Sequence, residues 1–139
     1  MSTSLQITTP TRDAVVHPLH PDRTGTLAVT ADAWGVVHAR RWVVARARLL
    51  GAPPATLLRL RLLAVVLLRD AAGGAREGSV LHVGLDVHGR TVRLTVEDPA
   101  SRVLPSPRAL RALRRADVWG VERVGVPGRR VWCELEPDA

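Results

Sequence analysis

SVLHVGLDVHGRTVRLTVED, Ser79 to Asp98, decides the fold. On either side of His88-Gly89 apolar and polar residues alternate, the pattern of two half-buried strands joined by a tight turn. In the second run Val92, Leu94 and Val96 share one side, while Arg93, Thr95 and Glu97 share the other. A hairpin is antiparallel, so the sheet it belongs to is at least partly antiparallel.

Upstream, the period changes. TLAVTA, Thr26 to Ala31, reads as another strand, and Asp32 is placed to cap a helix running through WGVVHARRWVVARARLL and stopping at Gly51. Its apolar positions Val36, Val37, Val43, Val44 and Ala47 recur at helical spacing. APPAT interrupts, with Thr56 as the expected cap of a second helix over about Leu57 to Ala72, ended by Gly73 and Gly74. That helix is apolar nearly all round, as expected of one buried between a sheet and other helices.

Downstream, DPASRVLPSP is a loop leading to a short helix with Ser106 as cap and Pro107 at its first position. Leu110 and Leu113 form its apolar stripe, and Arg108, Arg111, Arg114 and Arg115 lie mostly outside it. VWGVERVGV and RRVWCEL complete the chain as a hairpin around Pro127-Gly128. Hairpins with helices gathered on one side predict an α+β fold: a two-layer sandwich with a mixed, mostly antiparallel sheet covered on one face. Residues 1 to 25, rich in Thr, Pro and His with an apolar patch at Ala14 to Val16, read as an irregular arm with room for a short strand but no packed unit. One domain over 26–139 follows.

Composition narrows the function classes. With 139 residues and 46% hydrophobic content, the chain can bury a real core. The net charge is +7, carried entirely by Arg, a usage that fits GC-rich coding and weakens the charge as a sign of nucleic-acid binding. Lone Cys133 allows no internal disulfide and suits a reducing cytoplasm. MSTSLQITTP lacks the basic and apolar regions of a signal peptide, and Leu62 to Leu68 is too short to span a bilayer. A cytoplasmic protein without membrane contact is expected. His17, His20, His38, His82 and His88 form no metal-like set, so no metal is expected. Cys133, in a period-two strand, reads as a small core residue, and Trp34, Trp42, Trp119 and Trp132 as filling the core or an interface.

ADAWGVVHARRWVVARARLLGAP, LRLLAVVLLRDAAGGA, VRLTVEDPAS and the ending ALRALRRADVWGVERV…GRRVWCEL occur in an order that resembles the ATP-binding domain of anti-sigma factors of the serine-protein-kinase type. These belong to the histidine-kinase-like (GHKL) ATPases. The likeness covers roughly Thr26 to Leu135.

The resemblance implies a nucleotide site, and this chain departs from it. The second helix of the family carries a Glu as general base and, four residues on, an Asn that helps hold Mg²⁺. Those places fall on Val66 and Asp70. Valine has no proton chemistry. Asp70 either binds Mg²⁺ through oxygen or is a drifted polar residue near a helix end, where the macrodipole disfavours an anion. The family's adenine-binding Asp corresponds to Asp98, which reads equally well as a turn residue opening Asp-Pro. The glycine lid that cradles phosphates has no counterpart, because no glycine stands between Arg90 and Trp119.

The resemblance thus implies a degenerate member with a vestigial nucleotide site at Asp70 and Asp98, no cofactor and no catalysis. Its expected partners are a sigma factor, an anti-sigma-factor antagonist or a paralogous regulator, with homodimerisation also expected. Arg108, Arg111, Arg114 and Arg115 are the expected contact residues, since Arg pairs carboxylates bidentately; the alternative is a merely solvated face. The rival reading is a divergent serine-protein kinase that still binds Mg-ATP. A nucleic-acid-associated regulator ranks third.

Overall fold

A computed structural model of the chain describes residues 5–8, 25–99, 104–125 and 128–137. Along the chain these form β1 (Leu5–Thr8), β2 (Gly25–Thr30), α1 (Ala33–Leu49), α2 (Pro54–Gly74), β3 (Val80–His88), β4 (Thr91–Asp98), α3 (Pro107–Leu113), β5 (Val118–Arg123) and β6 (Arg129–Leu135). The six strands form one sheet in the order β1-β5-β6-β4-β3-β2. Every neighbouring pair is antiparallel except β1 with β5. The fold is the α+β sandwich that the hairpins predict, with α1, α2 and α3 packed on one face.

Local chemistry sets the boundaries. The Asp32 carboxylate accepts the Gly35 N–H at 2.7 Å and caps α1. At the other end Gly51 takes φ +91°, which lets Ala52 N–H reach the Ala47 carbonyl and Gly51 N–H reach that of Arg48. The start of α2 differs from expectation. Pro53 is the N-cap and Pro54 the first helical residue, so the helix begins before Thr56, which is buried in its first turn. Gly73 and Gly74 do not end it by a left-handed turn; both stay helical and Ala75 is the cap. The β3–β4 turn is Gly89-Arg90, one residue later than expected, with Gly89 at φ +62° and His88 paired with Thr91. Ser106 caps α3 as expected, accepting the Ala109 N–H at 3.2 Å.

Period-two alternation sorts the sheet into two faces. Toward the helices point Leu81, Val83, Leu85, Val92, Leu94, Val96, Val121, Val131, Cys133 and Leu135. They meet Val36, Ala39, Val43 and Ala47 of α1 and Leu60, Leu63, Ala64, Leu67, Leu68 and Ala71 of α2. On α3 the fully buried residues are Ala109 and Leu113, while Leu110 packs only at the edge. The opposite face carries cross-strand ion pairs: Arg93 with Glu134 at 3.1 Å, and Arg130 with Glu97 at 3.3 Å and Glu122 at 3.0 Å. There Trp132 lies across Gly120, where a Cβ would stand 2.6 Å from its ring, and the Arg93 guanidinium sits 4.3 Å from the Trp132 centroid.

The short strand that the arm can hold is Leu5–Thr8, which joins the sheet edge beside β5; the Ala14 to Val16 patch lies outside the described residues. Of the two places expected for the tryptophans, the core holds Trp119 and Trp132, while Trp34, 84% exposed, is left with the interface alternative. Contrary to expectation, α2 is not buried all round, because Leu58 and Leu62 stand open to solvent.

Candidate functional site

The alternation that buries Val92, Leu94 and Val96 carries on to Asp98, and the one that buries Val131, Cys133 and Leu135 starts at Arg129. Two charged residues thus occupy core-facing positions, directly opposite one another in the β4–β6 register. Burying either alone would be strongly unfavourable. Together they form a pair: Arg129 Nε and Nη2 donate to Asp98 Oδ2 at 3.1 and 3.0 Å.

Asp70 completes the group. It reaches in from α2, one turn before that helix ends, and accepts Arg129 Nη2 at 3.1 Å on Oδ2. Its Oδ1 accepts the Ser106 backbone N–H at 3.2 Å. Arg129 Nη1 donates to the Leu104 carbonyl at 3.1 Å. The side chains of Asp70, Asp98 and Arg129 are only 6%, 0% and 2% exposed. One guanidinium therefore ties β4, β6, α2 and the segment before α3 into a single cluster. The carboxylate on α2 has its counter-charge in Arg129.

The structure brings Asp70 and Asp98 together, as the resemblance implies, but through Arg129, which sequence reading passed over as a hairpin residue. A signal was present. Arg129 and Asp98 both fall on the buried phase of their strands, and an ionised residue in that phase requires an internal partner. Asp98 is not a solvent-facing turn residue; it is the buried last residue of β4.

Beside this cluster is a cleft of about 540 Å³, lined by Val66, Arg69, Asp70, Gly73, Ser106 and Arg108. Val66 presents only methyl groups to it. Arg108, Arg111, Arg114 and Arg115 are all exposed, as expected, but they do not share one helix face. α3 ends at Leu113, so Arg114 is its cap and Arg115 lies beyond it. Arg108 borders the cleft, and Arg115 borders a separate apolar groove over α2.

Elsewhere, Cys133 is buried in β6, and burial pushes its thiol up to about 12. Among the described residues no group of His, Cys, Asp or Glu is arranged to hold a metal ion, and no helix is long and apolar enough to cross a membrane. His17 and His20 lie outside the described residues.

No protein-family model matches the sequence, and no curated protein matches it. Among solved structures, the chain is similar to the crystal structure of the RsbU and RsbW domains of Rv1364c from Mycobacterium tuberculosis, with a TM-score of 0.64 at 12% identity. The match covers 81% of this chain and 32% of that one, so this chain spans about a third of its neighbour's length. At that identity the likeness establishes the fold alone, and the fold is the one that the resemblance implies.

Proposed function

We propose that the domain is a regulatory protein-binding module of the anti-sigma-factor type, in which the position of the nucleotide has been closed by an internal ion pair. One observation carries this reading. Asp70 and Asp98, the residues in the places of the Mg²⁺-holding and adenine-binding groups, both accept hydrogen bonds from Arg129. A guanidinium there competes with a metal ion for Asp70 and with an adenine amino group for Asp98. Val66 at the place of the general base and the lack of glycine from Thr91 to Val118 point the same way. The residues present do not fit Mg-ATP.

What remains is contact chemistry. Arg108, Arg111, Arg114 and Arg115 are exposed and make no ion pair with any described residue. They suit an acidic surface on a sigma factor, an anti-sigma-factor antagonist or a paralogous regulator, and affinity purification from the native cell with mass spectrometry identifies which.

The rival reading, a divergent serine-protein kinase that binds Mg-ATP, draws on the cleft beside Asp70, where Arg69 and Arg108 supply positive charge. Calorimetry with millimolar Mg-ATP and Mg-ADP separates the two. No heat of binding and no thermal shift are expected. Micromolar binding that is lost in both Asp98→Asn and Asp70→Ala would establish the kinase-type site and overturn the closed one.

A further inference from the structure

α2 is apolar over most of its surface, yet the sheet covers only one side of it. Leu58 and Leu62, four residues apart and so stacked on one helical face, remain 63% and 57% exposed. With Val65 they form the floor of a groove of about 660 Å³ between α1 and α3. Its rim is cationic: Arg40 on α1, Arg61 on α2 and Arg115 after α3. Among the described residues no carboxylate lines the groove. These three side chains form no ion pair with any described residue. The remaining lining arginine, Arg59, is committed internally. It donates to Asp117 at 3.3 Å and to the Arg115 and Glu136 carbonyls at 2.8 and 3.1 Å, which also braces the far wall.

We infer that this groove receives an amphipathic helix from a partner protein, with apolar residues at i, i+4 and i+7 seated over Leu58, Leu62 and Val65 and with Asp or Glu along both flanks. Three features select that occupant. The floor runs about 10 Å along the α2 axis, the length that three such anchors span. The unpaired guanidinium groups flank the floor, where they meet carboxylates on either side of an apolar stripe. And a second copy of this chain, itself at +7, would bring another cationic surface to a cationic rim. The inference rests on the protein-binding reading above and adds a contact on α2 to that of the outer arginines of α3.

The probe is a fluorescent, lactam-stapled peptide of about 18 residues with Leu at i, i+4, i+7 and i+11 and Glu at the flanking positions. Its control carries Lys in place of every Glu. Anisotropy titration of the full chain is expected to give saturable binding of the acidic peptide and at least tenfold weaker binding of the basic one. Leu58→Ser with Leu62→Ser should weaken the acidic peptide at least tenfold, and Arg40→Glu with Arg61→Glu should do the same, while Arg76→Glu with Arg123→Glu, exposed and away from the groove, leaves it within twofold. The Leu variants replace exposed residues, so unchanged thermal unfolding verifies that they fold. Protection of residues 57–66 from hydrogen exchange by the peptide is a second expected result. Absence of binding, or binding unaffected by the α2 variants, overturns the groove as a helix site. If Arg111→Glu with Arg114→Glu alone abolishes binding, the groove assignment falls and the protein-binding reading stands. Self-association abolished by the Leu variants would make the occupant a second copy and overturn the inference.

Discussion

Arg129 organises the site, and its removal should be costly for a definite reason. Arg129→Met leaves two buried carboxylates facing each other without their cation, and loss of one member of a buried ionic group costs about 3–5 kcal/mol. Urea denaturation should show that loss. Arg129→Lys should recover only part of it, because an ammonium cannot reproduce the fork that serves Asp98, Asp70 and the Leu104 carbonyl at once. A loss below about 1 kcal/mol in the Met variant would mean that water reaches and solvates the carboxylates. Cys133 is the simpler case: burial holds its thiol near 12, so the native protein should resist alkylation at pH 8 and react only on unfolding. Both residues were legible to different degrees. Cys133 is apolar enough to be assigned to the core from strand phase alone. Arg129 obeys the same phase, but pairing it with Asp98 requires the β4–β6 register, and pairing it with Asp70 requires the packing of α2 on the sheet. Neither is a local property of the sequence.

At the level of elements, the well-predicted boundaries are those with a side-chain or glycine device. Asp32, Gly51, Ser106 and Gly89 each leave a local mark, and the structure uses all four. The start of α2 was misplaced because Thr56 and Pro53-Pro54 both signal an N-terminus, and the prolines win; Thr56 is then drawn into the core. β1 left only a faint local signal, the alternation of Leu5-Gln6-Ile7-Thr8, since four residues become a strand by pairing with β5 at the far end of the chain. The cap on α1 gives a pH-dependent prediction. Hydrogen bonding from the Gly35 N–H, with the Thr30 side chain next, holds the Asp32 carboxyl below its ordinary value. The native state therefore binds fewer protons there than the unfolded chain, and the cap's contribution, complete above the ordinary carboxylate range, fades as pH falls through the lowered value. Asp32→Asn, which still accepts a hydrogen bond, should retain most of the stability at pH 7 and flatten the loss on acidification below the ordinary carboxylate range. Thermal unfolding across that range tests it, and an unchanged acid slope would assign the loss to other carboxylates. One turn on, Gly35 permits α1 to rest against β2: a Cβ there would lie 1.7 Å from the Thr30 carbonyl oxygen. Gly35→Ala must push the helix away from backbone and should destabilise by about 1–3 kcal/mol in a denaturant titration.

For the whole molecule, the distribution of charge matters more than its total. On the open face of the sheet arginines are matched by glutamates across the strands, so that face has little net field. Around α3 and the groove over α2 they are unmatched, and the excess of +7 is concentrated where the helices face solvent. A field of that kind draws acidic proteins and nucleic acid alike, but the two respond differently to salt. Phosphate contacts release counterions, so duplex binding should fall steeply between about 50 and 200 mM salt, whereas a complex held also by apolar contact should persist. Reversing Arg111 and Arg114 to Glu lowers the net charge from +7 to +3, two units for each residue. Both are exposed and unpaired among the described residues, so unfolding stability should stay within about 0.5 kcal/mol of wild type. The complex with the protein recovered from native cells should be lost at physiological salt, with slower association the first sign, because steering depends on the same charges. Full binding by the reversed variant would show that these arginines are only solvated. Equal loss of protein and duplex binding, each with the same steep salt dependence, would return the nucleic-acid reading to first place.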